Sequence, residues 1–190
     1  PHGYDVPEGA DQPYQPSTNG MDYLDLGPDT DPTPYSNRHR NSVHYDDELL
    51  GRVIADLKAK GEWDDTMLVV TADHGQSFND FGRNYWGHNS NFASPQIHVP
   101  MIVNGPGVEP GRIEGMTSHL DVAPMLMRHA LDCTNPLSDY AMGEDLLAKA
   151  KDRAAGDPKS KKRAFEDKKG YHAPWDTPPV HCLDCTNGRS

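Results

Sequence analysis

Cysteine is scarce in this chain, with only three among 190 residues. A small secreted protein held together by disulfides carries many cysteines at regular spacing, so that class is excluded. Cys182 and Cys185 form a C-x-x-C pair that could bind zinc or form a disulfide. The second pair that would complete a tetrahedral zinc site is missing, so we assign these cysteines no metal.

Long hydrophobic runs and positive charge are also lacking. No apolar run approaches the roughly 20 residues that span a bilayer, and only 35% of the residues are hydrophobic. Lys and Arg number 18 against 29 Asp and Glu, and the net charge of −11 argues against a nucleic-acid partner. The chain begins at Pro1 without a Met or a signal peptide, so we expect a fragment whose membrane anchor or export signal lies upstream.

The charge distribution divides the chain near residue 148. Residues 149–190 carry 10 Lys or Arg against 6 Asp or Glu, whereas the preceding part is strongly acidic. We therefore predict one domain over 1–147 and a basic tail over 148–190 that is disordered or not native. Within the tail, residues 183–187 repeat residues 131–135 letter for letter. A duplicated or misassembled coding end explains this repeat as well as a function does.

In the middle of the chain, a predicted helix is followed by predicted strands, which is typical of an α/β domain. Residues 1–36 predict extended loop, and Asn37–Lys60 predicts an amphipathic helix that ends at a C-cap glycine, Gly61. Short apolar strands are predicted at Met67–Thr71 and Val99–Val103. The predicted apolar stripe of the helix comprises Val43, Leu50, Val53, Ile54 and Leu57.

The first strand runs directly into Ala72-Asp73-His74-Gly75. Because ligands bind at the carboxyl ends of parallel strands, we expect Asp73 and His74 at the rim of the sheet. A carboxylate beside an imidazole suits zinc, manganese or magnesium, and Gly75 would allow a tight turn. A catalytic zinc usually takes three protein ligands, so others must come from elsewhere. The alternative is an ordinary turn in which Asp73 caps a helix and His74 lies at the surface.

Three further histidines have two interpretations each. His88 follows two aromatic residues on a polar loop. Its imidazole either recognises a tetrahedral phosphate or sulfate or simply packs against other loop residues. His119 follows Ser118 at the start of another predicted helix, and is either a further metal ligand or a capping or surface residue. His2 either lines the site or is solvated near the end of the chain.

The order of strand, Asp-His-Gly loop, second His and return strand resembles the C-terminal part of the alkaline phosphatase superfamily, which includes sulfatases and phosphoethanolamine transferases. More narrowly, residues 73–80, 84–92 and 96–100 resemble the sulfatase-like periplasmic domain of the bacterial inner-membrane YejM proteins. The resemblance covers roughly residues 1–147. It implies an α/β fold, the three-layer sandwich of the alkaline phosphatase and sulfatase type, of which this chain is the C-terminal portion.

The resemblance implies two functions. The first is a metal-dependent hydrolase or transferase acting on sulfate or phosphate esters, with a divalent ion (zinc, magnesium, manganese or calcium) on Asp73 and His74, and His88 near the transferred group. In active relatives the nucleophile comes from the N-terminal half, so we expect this chain alone to be inactive.

The second is a non-catalytic YejM-like protein at the periplasmic face of the inner membrane, anchored by helices upstream of this chain. It would bind lipid head groups or lipopolysaccharide and regulate envelope assembly. A third alternative is a plain α/β module in which Asp-His-Gly is only a turn. The sequence leaves the oligomeric state open.

Overall fold

The computed structural model describes residues 3–89, 92–113 and 116–149. The predictions for His2, for the Cys182–Cys185 pair and for the tail beyond residue 149 lie outside the described residues. Among the described residues, no helix combines the length and the apolar character that a membrane crossing requires.

The longest element is helix α1, Thr33–Lys60. It begins before the predicted Asn37, because Pro32 at the N-cap and Pro34 in the first turn occupy positions where a missing N–H costs little. Its end at Gly61 is confirmed. Gly61 adopts a left-handed φ of 73°, and its N–H donates to the carbonyl oxygen of Lys58 at 3.1 Å.

The buried face of α1 differs from the predicted apolar stripe. Ile54 is buried, but Val43 and Val53 are exposed. The first half of the helix instead buries polar side chains, among them Asn37 and Asn41.

The extended segment 3–32 explains this burial, since it crosses the first half of α1. The side chain of Asn41 accepts the N–H of Tyr14 at 2.9 Å and donates to the carbonyl of Tyr14 at 3.1 Å. Asn37 Nδ2 donates to the carbonyl of Pro16 at 3.0 Å. Amide side chains that satisfy a crossing backbone are buried at little cost.

Two small antiparallel sheets follow. Strand β1 (Leu68–Thr71) pairs with β4 (Met101–Asn104), with Thr71 opposite Met101. The expectation of parallel strands is wrong for this pair, so the carboxyl end of β1 lies beside the amino end of β4. Strands β2 (Ser77–Phe78) and β3 (Trp86–Gly87) form a hairpin.

Two short α-helices and three 3₁₀ turns also occur in the described chain. Helix α2 spans Ser94–Ile97 and leads into β4, which begins at Met101 rather than at the predicted Val99. Single 3₁₀ turns occur at Trp63–Asp65, His119–Asp121 and Leu137–Asp139, and α3 spans Val122–His129.

The core lies on one face of the β1–β4 sheet. Met125, Leu146 and Leu147 are buried, and Val69 and Val103 pack against them from opposite strands. Leu131 lies beyond the end of α3 at His129 and is exposed. The other partly buried residues packed against the core are Met67, Met101, Val108, Ile113 and Leu126.

A buried carboxylate fastens the end of the described chain to this core. Asp121 forms a capping box with Ser118, as expected for a helix start there, and is 5% exposed. Its oxygens accept the N–H of Glu144 at 2.8 Å and the ammonium of Lys149 at 3.2 Å. Burial alone would raise the pKa of Asp121, but these donors outweigh it and hold the pKa below its ordinary value.

We expect Asp121→Ala to lower the free energy of unfolding by about 3 kcal/mol, because two backbone N–H groups and Lys149 lose a buried acceptor. Chemical denaturation at pH 7 measures the change. Glu109→Ala removes an exposed carboxylate and should stay within about 0.5 kcal/mol of the parent. Equal stability of the two variants would contradict this role for Asp121.

An aromatic cluster joins segment 3–32, α1 and the hairpin. The ring of His39 meets Tyr4 edge-on at a centroid distance of 5.0 Å and lies 5.6 Å from Phe78. Desolvation by this burial, with smaller effects of the positive charges on the N-terminal amine and on Arg40, lowers the pKa of His39 to about 4. His39 is therefore neutral at pH 7.

Stability should fall as the pH drops from about 6.5 towards 4, since unfolded His39 binds a proton in that window and folded His39 does not. At pH 4.5 the loss through His39 is roughly 2–3 kcal/mol. The free energy of unfolding, measured with urea across this pH range, should depend less steeply on pH in His39→Gln than in the parent. His98→Gln, at an exposed histidine, should keep the parent slope, and an unchanged slope in His39→Gln would refute the effect.

Candidate functional site

The loop after β1 carries Asp73 and His74 away from the sheet. Asp73 Oδ1 accepts the N–H of His74 at 3.0 Å, and Asp73 Oδ2 lies 3.6 Å from His74 Nε2. The Asp73 side chain is 83% exposed and that of His74 is 32% exposed. The next element after this loop is strand β2, so Asp73 does not cap a helix.

The surroundings of His74 determine its tautomer. Nδ1 lies 2.8 Å from the carbonyl oxygen of Gly75, which can only accept a hydrogen bond. A proton on Nδ1 makes this bond and places the lone pair of the neutral ring on Nε2, the nitrogen nearer the Asp73 carboxylate. A backbone carbonyl that orients the ring in this way is typical of metal-binding histidines.

His88 stacks on His74. The two ring centroids are 3.9 Å apart and the planes differ by 16°. The β2–β3 hairpin places His88 there, and His88 Nδ1 lies 3.3 Å from Gln76 Oε1. The structure therefore brings together the three residues predicted for the site, Asp73, His74 and His88.

A close backbone contact holds this loop. The N–H of Gly75 donates to the carbonyl of Gln96, and that of Gln76 donates to the carbonyl of Pro95, both at 2.7 Å. A Cβ on Gly75 would lie 2.0 Å from the Pro95 oxygen. The sequence predicts a tight turn at Gly75, but the φ of Gly75 is not left-handed, so the glycine is required for close approach instead.

Gln96 is a site-supporting residue that the sequence prediction missed. Its side chain is buried, and Nε2 donates to Ser77 Oγ in β2 at 3.0 Å. The signals in the sequence are its position beside Pro95, just before the return strand, and its place in the stretch 96–100 that carries the family resemblance.

His119 supports the other end of the loop. Its Nε2 lies 2.8 Å from the carbonyl oxygen of Ala72 and 3.3 Å from Thr71 Oγ1. Since the carbonyl can only accept a hydrogen bond, Nε2 carries a proton. The Thr71 hydroxyl donates to the Pro100 carbonyl at 2.8 Å. Of the two interpretations of His119, this geometry favours a surface residue over a metal ligand, because His119 is exposed and the nitrogen facing the loop is a donor. Its bond to Ala72 also positions the loop.

The donor set fits part of a divalent metal site. A carboxylate and an Nδ1-protonated imidazole stand side by side, which is the chemistry such an ion prefers. Within residues 3–89, 92–113 and 116–149, no three His, Cys, Asp or Glu side chains gather as a ligand set. A complete site needs ligands beyond these residues.

Fold and site together define an α/β domain of the alkaline phosphatase superfamily, with an Asp-His-Gly loop at the end of a strand. The family model described as Sulfatase matches residues 1–132, and the chain belongs to this family. The fold is accordingly part of the three-layer α/β sandwich of the alkaline phosphatase and sulfatase type, as the sequence predicts.

Relatives share short stretches with this chain. The inner membrane protein YejM of Salmonella typhimurium is 25% identical over 119 residues, which are 63% of this chain and 20% of that protein. The choline-sulfatase of Rhizobium meliloti is 35% identical over 85 residues, 45% of this chain and 16% of that protein. The solved phosphonate monoester hydrolase from Silicibacter pomeroyi aligns with a TM-score of 0.49 and 34% identity, over 57% of this chain and 21% of that structure. The matched stretches therefore span about a fifth, or less, of the length of these two curated relatives.

We expect Gly75→Ala to destabilise the fold by roughly 2 kcal/mol, because the methyl group must displace the Pro95 carbonyl. Gly111→Ala is the matched control, since a Cβ there meets nothing within 4 Å. Thermal or urea unfolding of both variants measures the difference. Similar stabilities would show that the loop relaxes and that Gly75 is not required for close approach.

Proposed function

We propose that the protein to which this chain belongs is a metal-dependent hydrolase or transferase of sulfate or phosphate esters in the bacterial cell envelope. The observation that carries this proposal is the placement of Asp73, His74 and His88 on one loop and its adjoining hairpin, in a chain of the sulfatase family. Neither the fold alone nor a single histidine would support a reaction class.

Asp73 and His74 would hold the divalent ion, for which zinc, magnesium, manganese and calcium are the candidates. When bound, such an ion neutralises charge that develops on the ester and lowers the pKa of a nucleophile. The matched relatives are several times longer than this chain, and we place the nucleophile and the remaining ligands in the rest of the protein. This chain on its own would be inactive.

His88 would contact the transferred group. It stacks directly on His74 and also lines a cavity, so it borders both the proposed ion and the space for the ester. An imidazole N–H donates to the oxygens of a tetrahedral anion, and this bond strengthens as charge builds up in the transition state.

Asp73→Ala in the intact protein should abolish metal binding and turnover together, because it removes one of two adjacent ligands. Metal content by elemental analysis and hydrolysis of aryl phosphate and aryl sulfate esters measure the two effects. Asp64→Ala removes an exposed carboxylate from the turn before β1 and should leave both unchanged. Retained turnover in Asp73→Ala would refute the role of Asp73.

A second candidate function is supported by the match to inner membrane protein YejM. We propose as the alternative a non-catalytic protein at the periplasmic face of the inner membrane that binds lipid head groups or lipopolysaccharide and regulates envelope assembly. In that case the intact protein would bind vesicles containing lipopolysaccharide, would turn over no ester, and would bind equally well as Asp73→Ala.

A further inference from the structure

The dipeptide Asn-Gly occurs in this chain at residues 19–20, 104–105 and 187–188, and the last of these lies outside the described residues. In water, the backbone nitrogen that follows an asparagine can attack the side-chain amide of that asparagine. Glycine favours this attack because it has no Cβ to crowd the nitrogen or to restrict the backbone. Asparagine is accordingly a thermolabile residue, and the local freedom of the backbone decides which copy reacts.

The backbone at Asn19 and Gly20 is free to rearrange. Both residues are exposed, and neither lies in a helix or a strand. A Cβ on Gly20 would meet nothing within 4 Å. The N–H of Gly20 lies 3.4 Å from Thr18 Oγ1. This distance is longer than an ordinary N–H···O hydrogen bond, so the attacking nitrogen is held only weakly.

The backbone at Asn104 and Gly105 is held in place. Asn104 is the last residue of β4 and pairs with Leu68 in β1. Gly105 packs so closely that a Cβ there would lie 2.9 Å from Met67 Cα. Both residues are half-buried. Ring closure would require a backbone rotation that breaks this pairing and packing, so the fold protects this second copy.

We propose that Asn19 is a site of spontaneous deamidation. The backbone nitrogen of Gly20 bonds to Cγ of Asn19, and the side-chain nitrogen leaves as ammonia with the proton that the backbone nitrogen releases. The product is a cyclic imide. Water then opens the ring at either carbonyl, which gives aspartate or isoaspartate, and the new carboxylic acid transfers its proton to ammonia. The net change is one amide replaced by one carboxylate.

The new carboxylate would lie on the wall of a cavity of about 670 Å³, which is lined by Asn19 and also by His88. Asp5 and Arg38 are the Asp, Glu, Lys and Arg residues described in this lining, and they pair with each other. Arg38 also donates to the carbonyl of Thr18, directly before Asn19, at 3.1 Å. Deamidation would therefore make a charge-balanced wall negative, beside the proposed reaction site.

The test incubates the folded, intact protein at mildly alkaline pH and follows each Asn-Gly pair by peptide mapping that separates asparagine, aspartate and isoaspartate. We expect Asn19 to convert severalfold faster than Asn104. In urea the two rates should become similar, because unfolding frees the backbone at Asn104. Gly20→Ala should slow conversion of Asn19 severalfold, since the added methyl group crowds the nitrogen but meets nothing in the fold. Gly111→Ala, at an equally open glycine, should leave the rate unchanged.

Three results would overturn this inference. They are an Asn19 that stays intact in the folded protein, equal rates at Asn19 and Asn104 before unfolding, and a rate at Asn19 that Gly20→Ala does not reduce. Rates that stay apart in urea would overturn the assignment of protection to the β4 contacts. None of these measurements requires turnover of an ester, so the inference and the proposed function can fail separately.

Discussion

The backbone contact between Gly75–Gln76 and Pro95–Gln96 is the constraint on which the site depends. Its two hydrogen bonds tie the loop that follows β1 to the short helix that precedes β4. The approach is so close that only a residue without Cβ fits at Gly75. Gln76 then lies beside His88, and Gln96 reaches Ser77 in the hairpin. The position of His88 against His74 thus follows from a contact that involves neither ring.

The other end of the loop is fixed by a different set of bonds. The antiparallel pairing of β1 with β4 places Thr71 beside Pro100, and His119 adds a donor to the carbonyl of Ala72. Asp121, in the same 3₁₀ turn as His119, anchors that turn to Glu144 and Lys149. The loop carrying Asp73 and His74 is therefore restrained on both sides, and one restraint depends on the core.

Local sequence signals predicted the features that depend on neighbouring residues. The end of α1 at Gly61 follows from a C-cap glycine, and the loop at Asp73 follows from an apolar strand that stops abruptly. Contacts between distant residues could not be predicted in this way. The polar buried face of α1 depends on a segment more than 20 positions away, at Tyr14 and Pro16. The bond from His119 to Ala72 spans 47 positions. Hydrophobic periodicity carries no information about such pairings. The antiparallel order of β1 and β4 could not be predicted for the same reason.

The net charge of the chain has the same sign as its proposed substrate, an anionic ester. A net charge of −11 repels a sulfate or phosphate ester unless a cation reverses the field locally. In the described site, the groups suited to hold that cation are Asp73 and His74, at one end of the region that His88 borders. At the other end, the cavity wall holds one carboxylate, Asp5, which pairs with its one arginine, Arg38. A divalent ion at the first end would therefore draw the anionic group of an ester towards His74 and leave its alcohol towards the charge-balanced wall near Tyr23.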